Sequence, residues 1–432
     1  MKKLLLASVA ILAIAAFAAG QAQAADAQDS GLKLTVGGYL SVQGAYVSQS
    51  DSVGQPGHNL AKTDIFQYGE LHFTAEKTFD NGLTVGYEGV LDDGTDSTAG
   101  GNVLASFRQD FAYFSGNWGR LEAGQNYSPL YYMSMGAPAV NDEFDSIDPD
   151  FSLVSITSAN TSLTGGSTGV ASSLAASHVG TGNYATVGFT PFYRGGQDSL
   201  LADKVVYYTP RFNGFQLGAD YAPSPNRTGD GTKSALGGMV NDNLPATTAA
   251  GAQDERYDIA AGYDGTFSGV GVKASGGYGH STLENSGTSF AGGKDEQGYI
   301  GGAQLSYMNW TLGGGYVWDN NGQKFTSGTL SANGDTKIWN AGLGYAVGPY
   351  HAGVTYQQSS TDVLRDISTV VASDDQLKRW VVGGGYKVAP GVDLETTLQF
   401  DKYQTANPSG ANANPLGNNN ATVFTVGSTV NF

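Results

Sequence analysis

Five carboxylates crowd into one short stretch, Asp142, Glu143, Asp145, Asp148 and Asp150, with Pro138 and Pro149 close by. Oxygen donors at this density have the composition of a Ca²⁺ site. They could equally set a negative field beside a solute path, because charges are felt strongly at a narrow throat and only weakly across a wide, salt-screened one. Candidates for the positive side of such a field are Arg108, Arg120 and Arg379. Other chemistry is poorly supported. Gly165-Gly166-Ser167-Thr168-Gly169 matches the serine-nucleophile pattern, yet it sits in a Ser/Thr/Gly tract with no strand-to-helix elbow around it. Gly269 to Ala274 matches a loose dinucleotide fingerprint but leads into a strand pattern where a helix is required. The histidines His58, His72, His178, His280 and His351 have no ligand spacing. No catalytic residue and no cofactor is expected.

The acidic group lies in the interval from Asn126 to Ala202, a long stretch without a clean strand pattern in a chain that otherwise alternates regularly. Structureless intervals of this length are rare in compact domains and are commonly functional. This one reads as a loop folded into a pore. Within it, Asn183 to Tyr193 could form an additional strand pair.

The remaining elements are set by composition and periodicity. Residues 1–24 carry Lys2 and Lys3, an apolar run from Leu4 to Ala19 and the small-residue end Ala22-Gln23-Ala24, the pattern of a cleaved secretory signal. After it no apolar run is long enough for a membrane helix. Residues 25–432 read as one unit, since no linker or charge block divides them. There is no cysteine, which excludes disulfide and thiolate chemistry. The net charge of −17 becomes two units more negative once the leader is removed, so nucleic acid is not an expected partner. The 63 glycines are near twice the usual share of ~7%.

From Leu32 onward apolar residues recur at every second position, the mark of strands with one greasy and one wet side. Leu34, Val36, Leu40 and Val42 oppose Lys33, Thr35, Ser41 and Gln43. Further on, Phe107, Phe111 and Tyr113 oppose Arg108 and Asp110. About sixteen such strands can be placed. Tight turns, among them Asp80-Asn81-Gly82, Ser268-Gly269 and Pro390-Gly391, alternate strictly with long polar connections. A sandwich has no reason to gather every long loop at one end. An outer-membrane barrel does, because lipid satisfies no backbone group and leaves no room for a sheet edge. The expected fold is an all-β, transmembrane antiparallel barrel of about sixteen strands.

Two segments, Phe111 to Pro129 (FAYFSGNWGRLEAGQNYSP) and Asp203 to Tyr221 (DKVVYYTPRFNGFQLGADY), resemble the general porin family of Gram-negative outer membranes, as does the terminal Phe432 on a strand that alternates to its end. The resemblance implies a water-filled, usually trimeric barrel whose third loop, here 126–202, narrows the pore. If that loop enters the lumen, Asp142, Glu143, Asp145, Asp148 and Asp150 must face a barrel wall, and the strand alternation offers Arg108, Arg120 and Arg379 as candidates for it. Gln125 and Val206 stand where the family commonly has basic residues, so the positive ladder is thinner here. The expectation is a passive channel for small hydrophilic solutes and ions, cation-preferring, in contact with outer-membrane lipid and lipopolysaccharide. A substrate-specific channel, or an enzyme or adhesin built on a barrel, are the alternatives.

Overall fold

The computed structural model describes residues 31–50, 61–92, 107–141, 193–194, 197–198, 201–223, 253–283, 294–320, 322, 324–327, 330–333, 335–364, 372–404 and 419–432. Sixteen antiparallel strands close into a single barrel. In chain order they are β1 (Lys33–Gln49), β2 (Thr63–Thr78), β3 (Thr84–Asp92), β4 (Phe107–Gly116), β5 (Gly119–Tyr127), β6 (Leu201–Tyr208), β7 (Phe215–Ala222) and β8 (Gln253–Phe267). They continue as β9 (Val270–Leu283), β10 (Glu296–Tyr307), β11 (Trp310–Asp319), β12 (Thr336–Val347), β13 (Tyr350–Leu364), β14 (Ala372–Ala389), β15 (Val392–Gln404) and β16 (Asn419–Asn431). Each pairs with the next, and β16 pairs with β1 from Tyr39↔Asn431 to Gln49↔Ala421. Two small hairpins, Lys324–Ser327 with Leu330–Asn333 and Tyr193–Arg194 with Gln197–Asp198, stand apart from the barrel sheet. The rest of the suspected strand at 183–193 lies outside the described residues. No helix among the described residues is long and apolar enough to cross a membrane, so the crossing is made by strands.

Short turns close one end because their residues accept left-handed backbone. Ser268 and Gly269 have φ of 50° and 84°, the pair that a two-residue hairpin turn demands. The two faces of the wall differ as the alternation requires. Outward residues such as Ile259, Leu312, Trp380 and Val382 remain exposed, whereas Gln43, Lys204, Asp220, Arg256 and Asp258 on the inward face are buried. Tyr and Trp pairs band the outer surface: Tyr221 with Tyr257 at 4.9 Å, Tyr299 with Trp318 at 5.1 Å, Trp310 with Tyr345 at 4.6 Å, and Tyr356 with Trp380 at 4.8 Å. Two such bands at the membrane interfaces are what a lipid-facing barrel carries.

One facial assignment from the alternation fails. Pairing between β3 and β4 slips after Val90↔Gln109 to Leu91↔Phe107, leaving Arg108 as the extra residue of a β-bulge. A bulge shifts the alternation by one. Phe111 and Tyr113 are therefore buried on the inward side, and Asp110 is exposed on the outward side beside Tyr87, the reverse of the simple period-two reading.

Candidate functional site

Immediately beyond β5, residues 128–140 stay within the barrel. Ser128 caps a single helical turn, α1 (Pro129–Tyr132), its hydroxyl accepting from Leu130 N at 3.1 Å while donating to Asp258 Oδ2 at 2.6 Å. Asp258 also accepts from Arg256 Nε at 2.9 Å, and its own backbone N–H donates to Asp220 Oδ1, which belongs to a carboxylate held by Lys204 at 3.2 Å. All four charged side chains are buried, on the inner faces of β6, β7 and β8. Buried ion pairs seldom add net stability, but they fix geometry, since losing one partner costs about 3–5 kcal/mol. Here they clasp the first residue of the inward segment.

From that clasp residues 129–140 run across the inner wall as a ledge. Leu130 belongs to one buried apolar cluster with Tyr127, Ala260, Ile300, Val317 and Ile338. Farther along, Gln304 Nε2 donates to Gly136 O at 3.0 Å, Ala137 N donates to Asn340 Oδ1 at 2.9 Å, and Thr355 Oγ1 donates to Pro138 O at 3.3 Å. Val140 reaches Val381 on β14. Room for this path is made by glycine. On eight consecutive strands an inward glycine lies under the ledge: Gly218, Gly262, Gly277, Gly302, Gly313, Gly342, Gly353 and Gly383, facing Pro129, Met133, Leu130, Met135, Gly136, Ala137, Val140 and Val140 in turn. A Cβ on Gly302 would fall on the Met135 carbonyl, and one on Gly218 would stand 2.8 Å from Pro129 Cβ. Glycine doublets such as Gly276-Gly277 and Gly301-Gly302 recur at mid-strand in the sequence, and they were the available signal for this path.

The ledge lies along β7 to β14 and leaves open space toward β3 to β5. A cavity of about 760 Å³ remains between Tyr132, Met133 and Met135 on the ledge and Glu88, Arg120 and Glu122 on that wall. The three arginines expected at a constriction occupy three different settings. Arg120 lines the cavity, bonded to Glu122 at 2.5 Å, 3.8 Å from Glu88, and stacked 3.8 Å over the Tyr113 ring. Arg108 pairs with Glu70 at 3.1 Å and lies over the Tyr127 ring. It stands seven residues from Ser115, the partner of Arg120 in the β4–β5 register, hence roughly 20 Å away along the strand. Arg379 is 2% exposed and is gripped on both sides by Asp401, at 2.7 and 2.8 Å, with Gln399 bonded to the same carboxylate. No single arginine row results, since each of the three is matched by a wall carboxylate. Asp142, Glu143, Asp145, Asp148 and Asp150 lie outside the described residues, as does the Gly165 to Gly169 tract. Val140, just before them, packs against Val381 on β14. Gln125 donates to the Arg108 carbonyl at 2.9 Å, and Val206 is wholly buried on the inner wall. Gly269 turns directly into β9, a strand, so the loose dinucleotide match has no helix behind it.

Comparison with known proteins agrees with this architecture. No curated protein matches the chain. Among solved structures, an anion-selective porin from Comamonas acidovorans is 16% identical, with 93% of this chain and 100% of that chain covered and a TM-score of 0.55. The outer membrane channel DcaP of Acinetobacter baumannii is 12% identical, with coverage of 94% and 98% and a TM-score of 0.57. The trimer form of OmpT, an outer membrane protein of Vibrio cholerae, is 13% identical, with coverage of 93% and 100% and a TM-score of 0.54. A family model described as Gram-negative porin matches residues 7–406, nearly the whole chain. With a closed sixteen-stranded wall, a polar inner face and a family match of this extent, the chain belongs to the Gram-negative porins and is an outer-membrane β-barrel.

Proposed function

We propose that this porin is a passive diffusion channel for small hydrophilic solutes and ions, and not an enzyme, with the interval 126–202 as its constriction loop and residues 1–24 as a leader removed on export. The observation that carries the reading is the ledge. It crosses half of the inner wall and, among the described residues, leaves a charged cavity beside it, which suits a lumen narrowed by this segment. Polar solutes would pass along ion-paired wall on one side and Tyr132, Met133 and Met135 on the other. The pore prefers cations in this reading. Support comes from the acid-rich chain, from Gln125 in place of a positive charge, and from the five acids following Asn141. Around the described cavity both signs are present, so the preference rests on those acids. Recording in a planar bilayer under a salt gradient tests both parts: an ohmic current is required for the channel, and a reversal potential on the anion side would reject cation preference.

The same reading takes the protein as a homotrimer in outer-membrane lipid and lipopolysaccharide. Aromatic pairs on the outer surface run from the β4–β5 turn to β14, beginning with Trp118 and Tyr207. On β15, β16 and β1 to β4 outward aromatics are sparser, with Tyr46 opposite Phe424 in the β1–β16 register. The outward side chains of that arc include Val36, Leu40, Val42, Leu71 and Val426. Aliphatic side chains with single aromatics such as Tyr46, Tyr87, Phe400 and Phe424 among them suit contact with another copy.

A further inference from the structure

We infer that the cavity under the ledge is a binding site for zwitterionic solutes that carry an aromatic or branched apolar body, a deepening that rests on the channel reading above. Its volume of about 760 Å³ falls within the ~300–1,000 Å³ typical of small-molecule sites. It opens at the end of the barrel closed by short turns, since Thr209, Pro210 and Arg211 of the β6–β7 turn line it. That end faces the periplasm in outer-membrane barrels.

Charge on its walls is held in a particular way. Lys273 on β9 and Asp264 on β8 stand directly opposite in register and are separated by 3.8 Å, with side chains 54% and 49% exposed. Across the cavity Arg120 and Glu88 are also 3.8 Å apart and partly exposed. These pairs are at the outer limit of an ion pair, and exposed pairs are worth only ~0–1 kcal/mol. The clasp pair Lys204 and Asp220, at 3.2 Å and fully buried, has no such freedom. A solute carrying both signs can insert its carboxylate toward Lys273 or Arg211 and its ammonium toward Asp264 or Glu88, replacing each loose contact with another. A solute of one sign satisfies half of a pair and strands the rest. The roof then chooses among zwitterions. Tyr132 is 49% exposed into this space, next to Met133 and Met135. A phenol face and adaptable thioethers favour an apolar body over a bare polar one.

The test is concentration-dependent reduction of ion current through the whole protein in a planar bilayer. The probes are phenylalanine, phenylalanine amide as cation, 3-phenylpropionate as anion, and glycine as the zwitterion without an apolar body. Phenylalanine should block saturably and at lower concentration than the other three, most strongly from the short-turn side. Asp264→Asn with Lys273→Gln should raise its half-blocking concentration about tenfold, the equivalent of two lost surface-strength contacts. The exchanged pair Asp264→Lys with Lys273→Asp should retain the block. Tyr132→Ala should erase the advantage of phenylalanine over glycine. Equal block by all four probes, or a block that the double neutralisation leaves unchanged, overturns the site. Absence of any ion current would instead overturn the channel reading on which it rests.

Discussion

Gly38 and Phe432 exchange both backbone hydrogen bonds, 2.9 Å from Gly38 N to Phe432 O and 3.0 Å from Phe432 N to Gly38 O. The last residue of the chain thus completes the seam between β16 and β1. Its partner has to be glycine, because a Cβ at Gly38, whose φ is +156°, would strike the Glu70 carbonyl of β2. Deleting Phe432, or replacing Gly38 with Val, should lower the amount of heat-resistant barrel in the outer membrane. Deleting Asn414 from the β15–β16 connection should leave it unchanged. Gel mobility before and after heating measures both, and equal barrel levels in the three variants would refute the seam's importance.

Neighbouring glycines test the ledge. Gly302 points inward under the Met135 carbonyl, whereas a Cβ on Gly301 would meet nothing closer than Ser275 O at 3.8 Å. Overpacking costs roughly 1–3 kcal/mol, and the ledge can relieve it by lifting from the wall. Gly302→Ala is expected to change single-channel conductance and raise open-channel noise, while Gly301→Ala does neither.

The clasp makes a second, independent demand on the same segment. Asp258→Asn removes a charge facing Arg256 and weakens the bond from Ser128. Ser128→Ala removes the bond and the cap, a loss of about 1 kcal/mol for the cap alone. Both should increase current noise, Asp258→Asn the more, and Ser128→Thr should restore quiet openings. Unchanged noise in Asp258→Asn would show that the ledge is held without the clasp.

Arg379 and Arg120 should respond in opposite ways. Arg379→Ala leaves Asp401 buried without its bidentate partner, a cost of about 3–5 kcal/mol, and should lower the temperature at which the barrel unfolds in detergent. Arg120→Gln, in a partly exposed setting, should spare that temperature and make the pore more cation-preferring. Changing Asp142, Glu143, Asp145 and Asp148 together to Asn or Gln should make it less so. Reversal potentials in a salt gradient separate these outcomes.

Much of the barrel was legible because strand alternation and turn chemistry are local. Ser268-Gly269 announces its hairpin, and the outward row Leu312, Tyr316 and Trp318 announces its lipid. Arg108 defeats the same logic, since a bulge is set by how β3 and β4 slide past each other, which no local pattern records. Arg379 shows another limit. Its bidentate partner Asp401 lies on the next strand at a register that only the folded sheet reveals. The ledge falls between these cases, its glycines visible and its course not.

Charge introduced on the outward arc of β15, β16 and β1 to β4 gives the last expectation. Leu40→Lys with Leu71→Lys should shift the protein from oligomer to monomer in mild detergent while the strand-dominated circular dichroism spectrum persists. Retention of the oligomer would place the contact between copies elsewhere on the barrel.

The ledge can reach the inner wall either before the barrel closes or through its open mouth. Either way Leu130 must settle over Gly277, and Val140 against Gly353 and Gly383. The bonds between Gly38 and Phe432 make the wall continuous, whereas the bond from Ser128 to Asp258 fixes the segment lying on it. Closing the ring and seating the ledge are thus separable events, each with its own reporter residues, and a variant can complete one without the other.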